Sequence, residues 1–433
     1  MKGLYYLFFL FLSFNPITSV SFNMTKQNSN ANSPYRKLIE GNLIKTKSGL
    51  YTISLSFGVH KQSFNLIFDT GSCITWVGDE NCDNCPSKNL YSPYLSNFFT
   101  KTEQELQIGY TSGLLHGYIC HDILYVDGRI NIQKFSFLLA DYAMIAVNAQ
   151  IDGIAGFMRK FTDDNVYFSL VYRMYEDKII AHRYFIVDIT THNPKGQQFY
   201  IGETPTHILH RKSVICFNIE DAKNEKNKYW KCPADFFSFE DDDIAYPITS
   251  TIMLDSGTNG IIAPKELHSV FKKKVFIQLI HDSICEEAKL PGQIYQIKCF
   301  QDITNLAGLK LPDLLITING KIIRIDMMKI YNIETNEFNL YFCNSLKGWV
   351  FGVPFFEQYA TLFDYDNNIV KIYLNEDEES NSFFSLRQII LFLILFIISI
   401  LVGGRAYLKK KLRCQYRARE EIEKEINLVS TTL

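Results

Sequence analysis

A run of apolar residues ends in a carboxylate twice in this chain. The first is LIFDTGS, in which Asp69 precedes Thr70, Gly71 and Ser72; the second is IMLDSGT, in which Asp255 precedes Ser256, Gly257 and Thr258. Each is followed by a second apolar run closed by glycine, Ile154-Ala155-Gly156 in DGIAGF and Val350-Phe351-Gly352 in WVFGVPFF. The separations are close, 87 residues (69 to 156) and 97 residues (255 to 352). A single Asp-Thr-Gly is a common polar turn, because aspartate readily bonds the backbone two residues on. Two copies, each with the same lead-in and the same downstream glycine, point to one unit used twice and so to two related lobes.

The elements between these motifs are strands. YTISLSFGV, FNLIFD, GYICHDILYVDG, RYFIVDI, LLITINGKIIRI and TLFDYDNNIVKIYL are short, alternating and rich in β-branched and aromatic residues. Helical patterning is confined to NVYFSLVYRMYEDKII and PKELHSVFKKKVFIQLI, the second with Pro264 placed for a first turn. The body is therefore mostly β. The acidic stretch Glu240–Asp243 and the polar loop Asp221–Lys228 read as solvated surface, and His116 and His121 as ordinary surface histidines rather than metal ligands. A formal net charge of −2 over 433 residues leaves no basic field for nucleic acid.

Both ends of the chain carry membrane-type segments. One Lys precedes the apolar run Leu4–Phe14, and small residues follow at Ser19 and Ser21, the pattern of a signal peptide over residues 1–21. Residues 22–50 read as a polar, flexible leader holding one glycosylation sequon, Asn23-Met-Thr. Near the other end, residues 388–404 are uncharged and long enough to span a bilayer. Lys409, Lys410, Lys411, Arg413, Arg417 and Arg419 follow, which orients the tail 405–433 to the cytosol. The expected topology is single-pass type I in the secretory pathway, with the body lumenal or extracellular. The shortness of the span leans toward the endoplasmic reticulum or Golgi. Nine of the ten cysteines then lie in an oxidising compartment where disulfides are the default, and nine is odd.

With these residues in place, the chain resembles the pepsin-like aspartic proteases from about Tyr51 to Leu374. Trp76, seven residues after Asp69, stands where that family has a tryptophan. YTSGLLHG, from Tyr110 to Gly117, resembles the family's flap hairpin, with Tyr110 as its tyrosine. FYIGE resembles the strand that opens the linker between lobes, and ATLFDYDNNIVKIYL the closing strands. The second motif, Asp-Ser-Gly-Thr, is similar to that of membrane-anchored members such as β-secretase and the plasmepsin group. The resemblance implies an all-β, bilobal fold with a C-terminal transmembrane helix: an N-terminal lobe over 51–200, a C-terminal lobe over 201–376 and a juxtamembrane linker over 377–387. It also implies disulfides Cys82–Cys85, Cys299–Cys343 and Cys73–Cys120. Cys216–Cys232 is a further expectation, which leaves Cys285 over.

The implied activity is endopeptidase cleavage of polypeptide substrates with no metal and no cofactor. Two carboxylates facing each other cannot both ionise, so Asp69 and Asp255 would share a proton, one activating water and the other polarising the scissile carbonyl. Gly71 and Gly257 would let the opposing loops approach and offer N–H donors. Ser72 and Thr258 would donate hydroxyls to the outer carboxylate oxygens, and Thr70 and Ser256 would tie the loops together. Tyr110 would close over substrate and bond Trp76. Gly71, Tyr110, Gly257 and Thr258 are the expected substrate-binding residues, with Ser72 and Trp76 as structural support. Arg36, Lys37, Lys45 and Lys47 would form a short inhibitory prosegment, or the enzyme is active without removal of one. The alternative is a non-catalytic, membrane-anchored relative that uses the cleft to bind peptides.

Overall fold

A computed structural model describes residues 38–110, 113–145, 151–159, 168–218, 229–240, 242–306, 308–343 and 348–375. The expected signal peptide, most of the leader, the span 388–404 and the cytosolic tail lie outside the described residues. Among those residues, no helix is long and apolar enough to cross a membrane.

The repeat seen in the sequence is a repeat of topology. In the first half, the apolar strand Gln62–Asp69 runs parallel to Gly153–Gly156, with Asp69 opposite Gly156. The strand Trp76–Asp83 runs antiparallel on the other side of Gly153–Gly156. In the second half, Thr251–Leu254 runs parallel to Trp349–Phe351, and Ile261–Pro264 lies antiparallel to that strand. In both lobes the chain leaving the aspartate loop thus threads back beside the downstream apolar run. This crossing explains the downstream glycines. A Cβ on Gly156 would stand 2.7 Å from the Ser72 carbonyl oxygen, and one on Gly352 would stand 2.1 Å from that of Thr258.

Around these cores the first lobe builds an eight-stranded sheet that includes the long hairpin strands Thr100–Tyr110, Gly113–Val126 and Ile130–Ile145. The second lobe builds a nine-stranded sheet and a separate four-stranded one. A six-stranded platform joins the halves. It takes Tyr184–Asp188, Gln198–Ile201 and Ser213–Phe217 from before the second motif, and Thr361–Asp364 and Ile369–Tyr373 from after it. One of its edge strands, Ile39–Asn42, pairs antiparallel with Gln198–Ile201. That corrects the reading of residues 22–50 as a flexible leader throughout, since Ile39 and Leu43 are buried.

An aromatic seam holds the lobes to this platform. Phe68 stacks on Phe157 with ring centroids 4.0 Å apart, and Phe185 stacks on Phe363 at 4.8 Å. Trp230, fully buried, donates its indole N–H to the Phe157 carbonyl at 2.9 Å. Such rings each bury a large apolar surface, so a chain with 34 Phe spends them where two lobes must be fixed together.

The two helical segments are shorter than their sequence patterns. Leu170–Glu176 is one seven-residue helix, started by Ser169 Oγ accepting from the Tyr172 N–H. The second pattern divides into a 3-10 turn, Lys265–Leu267, and helices His268–Lys274 and Ile277–His281. The break falls at Val275 and Phe276, whose burial draws the chain inward, and Pro264 both ends a strand and caps the 3-10 turn.

Among the described residues there are three disulfides: Cys82–Cys85, Cys216–Cys232 and Cys285–Cys299. The last corrects both the Cys299–Cys343 pairing and the leftover Cys285. These cysteines face each other across the hairpin Cys285–Leu290/Ile294–Cys299, in direct register. Cys120 is a buried thiol, so the expected Cys73–Cys120 bridge is not formed. The acidic stretch is corrected too. Glu240 ion-pairs with Arg324 at 2.6 Å and Lys310 at 3.3 Å, and Asp242 pairs with Lys274 at 2.9 Å.

Candidate active site

Asp69 is the last residue of its strand, and Asp255 follows directly after Leu254, the end of its own. Two loops therefore leave equivalent strands and meet between the lobes. Each aspartate accepts from its own loop in the same pattern. Gly71 N–H donates to Asp69 Oδ1 at 2.7 Å and Ser72 Oγ–H to Asp69 Oδ2 at 2.5 Å. Gly257 N–H donates to Asp255 Oδ1 at 2.9 Å and Thr258 Oγ1–H to Asp255 Oδ2 at 2.8 Å.

The glycines are required by what lies opposite. A Cβ on Gly71 would fall 2.6 Å from Asp255 Oδ1, and a Cβ on Gly257 would fall 2.5 Å from Asp69 Oδ1. Any side chain there would drive the carboxylates apart. Behind them the loops are laced together. Thr70 N–H donates to Ser256 Oγ at 3.0 Å, and Ser256 N–H to Thr70 Oγ1 at 2.9 Å. Each hydroxyl then donates onward to the opposite strand, Thr70 to the Leu254 carbonyl at 3.0 Å and Ser256 to the Phe68 carbonyl at 2.7 Å.

The electrostatics follow from this geometry. Burial and the facing Asp255 carboxylate push the Asp69 pKa well up, against the hydrogen bonds from Ser72 and Gly71. Burial also raises Asp255, and the two side chains lie within hydrogen-bonding reach of each other. Burial raises both groups and the facing carboxylate raises Asp69 further, so the two titrate as a pair.

Above the pair stands the hairpin Thr100–Tyr110/Gly113–Val126, whose tip register sets Tyr110 opposite Gly113. Burial raises the Tyr110 pKa, and Asp69, Ser72, Cys73 and Trp76 are its other neighbours. Trp76 is fully buried. Tyr110 lies within hydrogen-bonding reach of the Trp76 and Ser72 side chains, as expected, although the Trp76 indole N–H is not aligned for a strict hydrogen bond. Sequence reasoning missed Tyr229. The residue is 39% exposed, and burial, followed by the nearby Cys73, Asp255 and Asp69, raises its pKa. The polar run just before it gave no cue, and that run lies outside the described residues.

The arrangement is a buried and a half-buried carboxylate facing each other, symmetric donors fixing both, and a tyrosine-bearing hairpin over them. Comparisons with known proteins agree with it. A family model described as eukaryotic aspartyl protease matches residues 50–373. Plasmepsin I of Plasmodium falciparum (isolate 3D7) is 26% identical over 344 residues, covering 74% of this chain and 68% of that protein. Pepsin F of Oryctolagus cuniculus is 23% identical over 329 residues, covering 72% and 78% respectively. Pepsin A of Sus scrofa is 24% identical over 329 residues, covering 74% and 80%.

Proposed function

The chain belongs to the eukaryotic aspartyl protease family, and on that premise we propose that Asp69 and Asp255 are its catalytic pair. As a member it is an aspartic-type endopeptidase, a hydrolase acting on polypeptides. In the proposed mechanism the ionised carboxylate takes a proton from a water held between the two side chains. The water oxygen attacks the scissile carbonyl carbon, while the protonated carboxyl donates to the carbonyl oxygen. A proton passed to the amide nitrogen then lets the C–N bond break and the amine leave. The general logic of two aspartates sharing one proton is established for aspartic proteases as a class. Gly71, Gly257, Thr258 and Ser72 hold the carboxyl groups, and Tyr110 and Trp76 form the closing wall over substrate.

One observation carries this reading. Each aspartate faces a glycine of the opposite loop that nothing larger could replace. Two carboxylates held this close are costly unless a shared proton is useful. We place the enzyme on a membrane of the secretory pathway, leaning to the endoplasmic reticulum or Golgi. The residues supporting that placement are the apolar run 388–404, its basic flank and the signal-type N-terminus.

Full-length protein in isolated membranes is incubated with a diverse peptide library from pH 4 to 7.5, beside the Asp69→Ala and Asp255→Ala variants. Each variant is expected to lose cleavage by about a thousandfold or more while keeping its circular dichroism. The activity is expected to stay with the membranes after alkaline washing. Cleavage that persists in either variant removes the pair from the mechanism, and activity released by the wash removes the tether. A folded wild type with no cleavage at any pH favours the peptide-binding alternative.

A further inference from the structure

A second concavity of about 490 Å³ adjoins the aspartate loops on the side of the C-terminal lobe. Its position is fixed by Asn259, which lines it and follows Thr258, the donor to Asp255. The opposite wall is the turn Lys45–Gly49, so residues from both halves of the chain enclose the space. An extended peptide advances about 3.3 Å per residue. A substrate lying between Asp69 and Asp255 therefore reaches this concavity within a few residues of the scissile bond.

The charges lining it do not cancel. Lys45 pairs with Glu357 at 2.6 Å, and Glu357 also accepts from the Tyr51 hydroxyl at 2.9 Å. That leaves the ammonium groups of Lys47 and Lys329 against the one carboxylate of Glu334. Among the described residues, none of these three forms an ion pair. Asn259 is exposed and adds an amide donor at the inner end. We propose that this concavity binds an acidic side chain of the substrate, a few residues from the cleaved bond, with Lys47 and Lys329 as the specificity-determining cations. The inference rests on the endopeptidase reading and deepens it: the substrates are polypeptides bearing Asp or Glu at one fixed distance from the scissile bond.

The size of the effect follows from exposure. Ion pairs reached from solvent contribute modestly, and two cations acting together give about a threefold to tenfold preference at low salt. Screening should shrink it as salt rises.

The test uses the full-length protein in detergent at pH 5.5, where a free glutamate is ionised. Peptides sharing one cleavable core carry Glu or Gln at one position at a time, on both sides of the scissile bond. Glu is expected to exceed Gln about threefold or more in kcat/KM at a single position, at low salt. In Lys47→Ala/Lys329→Ala that ratio should fall to about one, and in Lys47→Glu/Lys329→Glu it should invert. The same ratio is read as binding affinity in Asp255→Ala. Failure of all cleavage therefore strikes the endopeptidase reading alone, while the acidic preference stays measurable. A Glu/Gln ratio near one at every position overturns the proposal, as does a preference that survives in the double alanine variant.

Discussion

Ser256 and Thr70 show how much one hydroxyl can carry. Ser256 Oγ accepts from the Thr70 N–H and donates to the Phe68 carbonyl, and all three residues are buried. Ser256→Ala leaves that N–H and that carbonyl without partners in a dry interface. An unsatisfied buried polar group costs roughly 1–3 kcal/mol, so equilibrium urea unfolding should show a loss of that order or somewhat more. Ser256→Thr keeps the hydroxyl and should lose much less. An alanine variant as stable as wild type would show that the crossed bonds do not hold the loops. The aspartate pair works against stability in the other direction. Its folded carboxyls keep a proton that free carboxylates release near pH 4, so the folded state binds more protons and stability falls as pH rises past that point. The two aspartate motifs were legible from their repeat in the sequence, and Tyr110 and Trp76 only through the family resemblance. The disulfide Cys285–Cys299 was legible too and was overlooked. Pro291-Gly292 marks a turn, and the two cysteines lie equally far from Gly292 in sequence, seven residues on either side (285 to 292, 292 to 299).

At the scale of elements, the flap is fastened near its tip by a residue that its sequence context made look idle. His116, on the return strand, has Nδ1 2.7 Å from Asp141 of the neighbouring strand and Nε2 3.7 Å from Glu105 of the outgoing strand. Its ring also meets the edge of Tyr118, over which the Lys101 ammonium sits. The hydrogen bond to Asp141, with help from Glu105, raises the His116 pKa above its ordinary value. His121 goes the other way, lowered by burial and by Lys134. The sign is then fixed. A raised histidine stabilises the folded flap fully below its unfolded pKa of about 6.5 and stops doing so as pH rises through the folded value. The pair is partly exposed, so the effect is small. Hydrogen exchange over Leu114–Tyr118, corrected for intrinsic rates, should therefore quicken between about pH 6 and pH 8, and His116→Gln should show no such step. An identical step in that variant would assign the change elsewhere. Alternation told which segments were strands but could not tell the two histidines apart, because Asp141 and Glu105 reach His116 only through strand pairing.

For the whole molecule, the least legible feature was where the body begins. The strands of the lobes announce themselves by apolar alternation. Ile39–Asn42 is a short IEGN set between Leu38 and Leu43 in a polar segment, and its pairing with Gln198–Ile201 makes it structural. It is an edge strand of the platform, and Leu43 continues it by donating its N–H to the Gln197 carbonyl at 2.9 Å. The turn that follows lines the concavity assigned above to an acidic side chain. Removing the chain before Tyr51 would therefore strip a platform strand and the Lys47 wall together. Ile39 and Leu43 are each 3% exposed and Leu50 is 7% exposed, and fully burying such a side chain is worth about 1.5–3 kcal/mol. A body starting at Tyr51 should lose roughly 4.5–9 kcal/mol relative to one starting at Leu38, before the strand hydrogen bonds are counted. Chemical denaturation of the two, side by side, measures it. Equal midpoints would mean that residues 38–50 are a removable leader after all. A large drop would mean that any activation by trimming must stop before Leu38, because cutting further in takes away part of the fold that holds the aspartates in place.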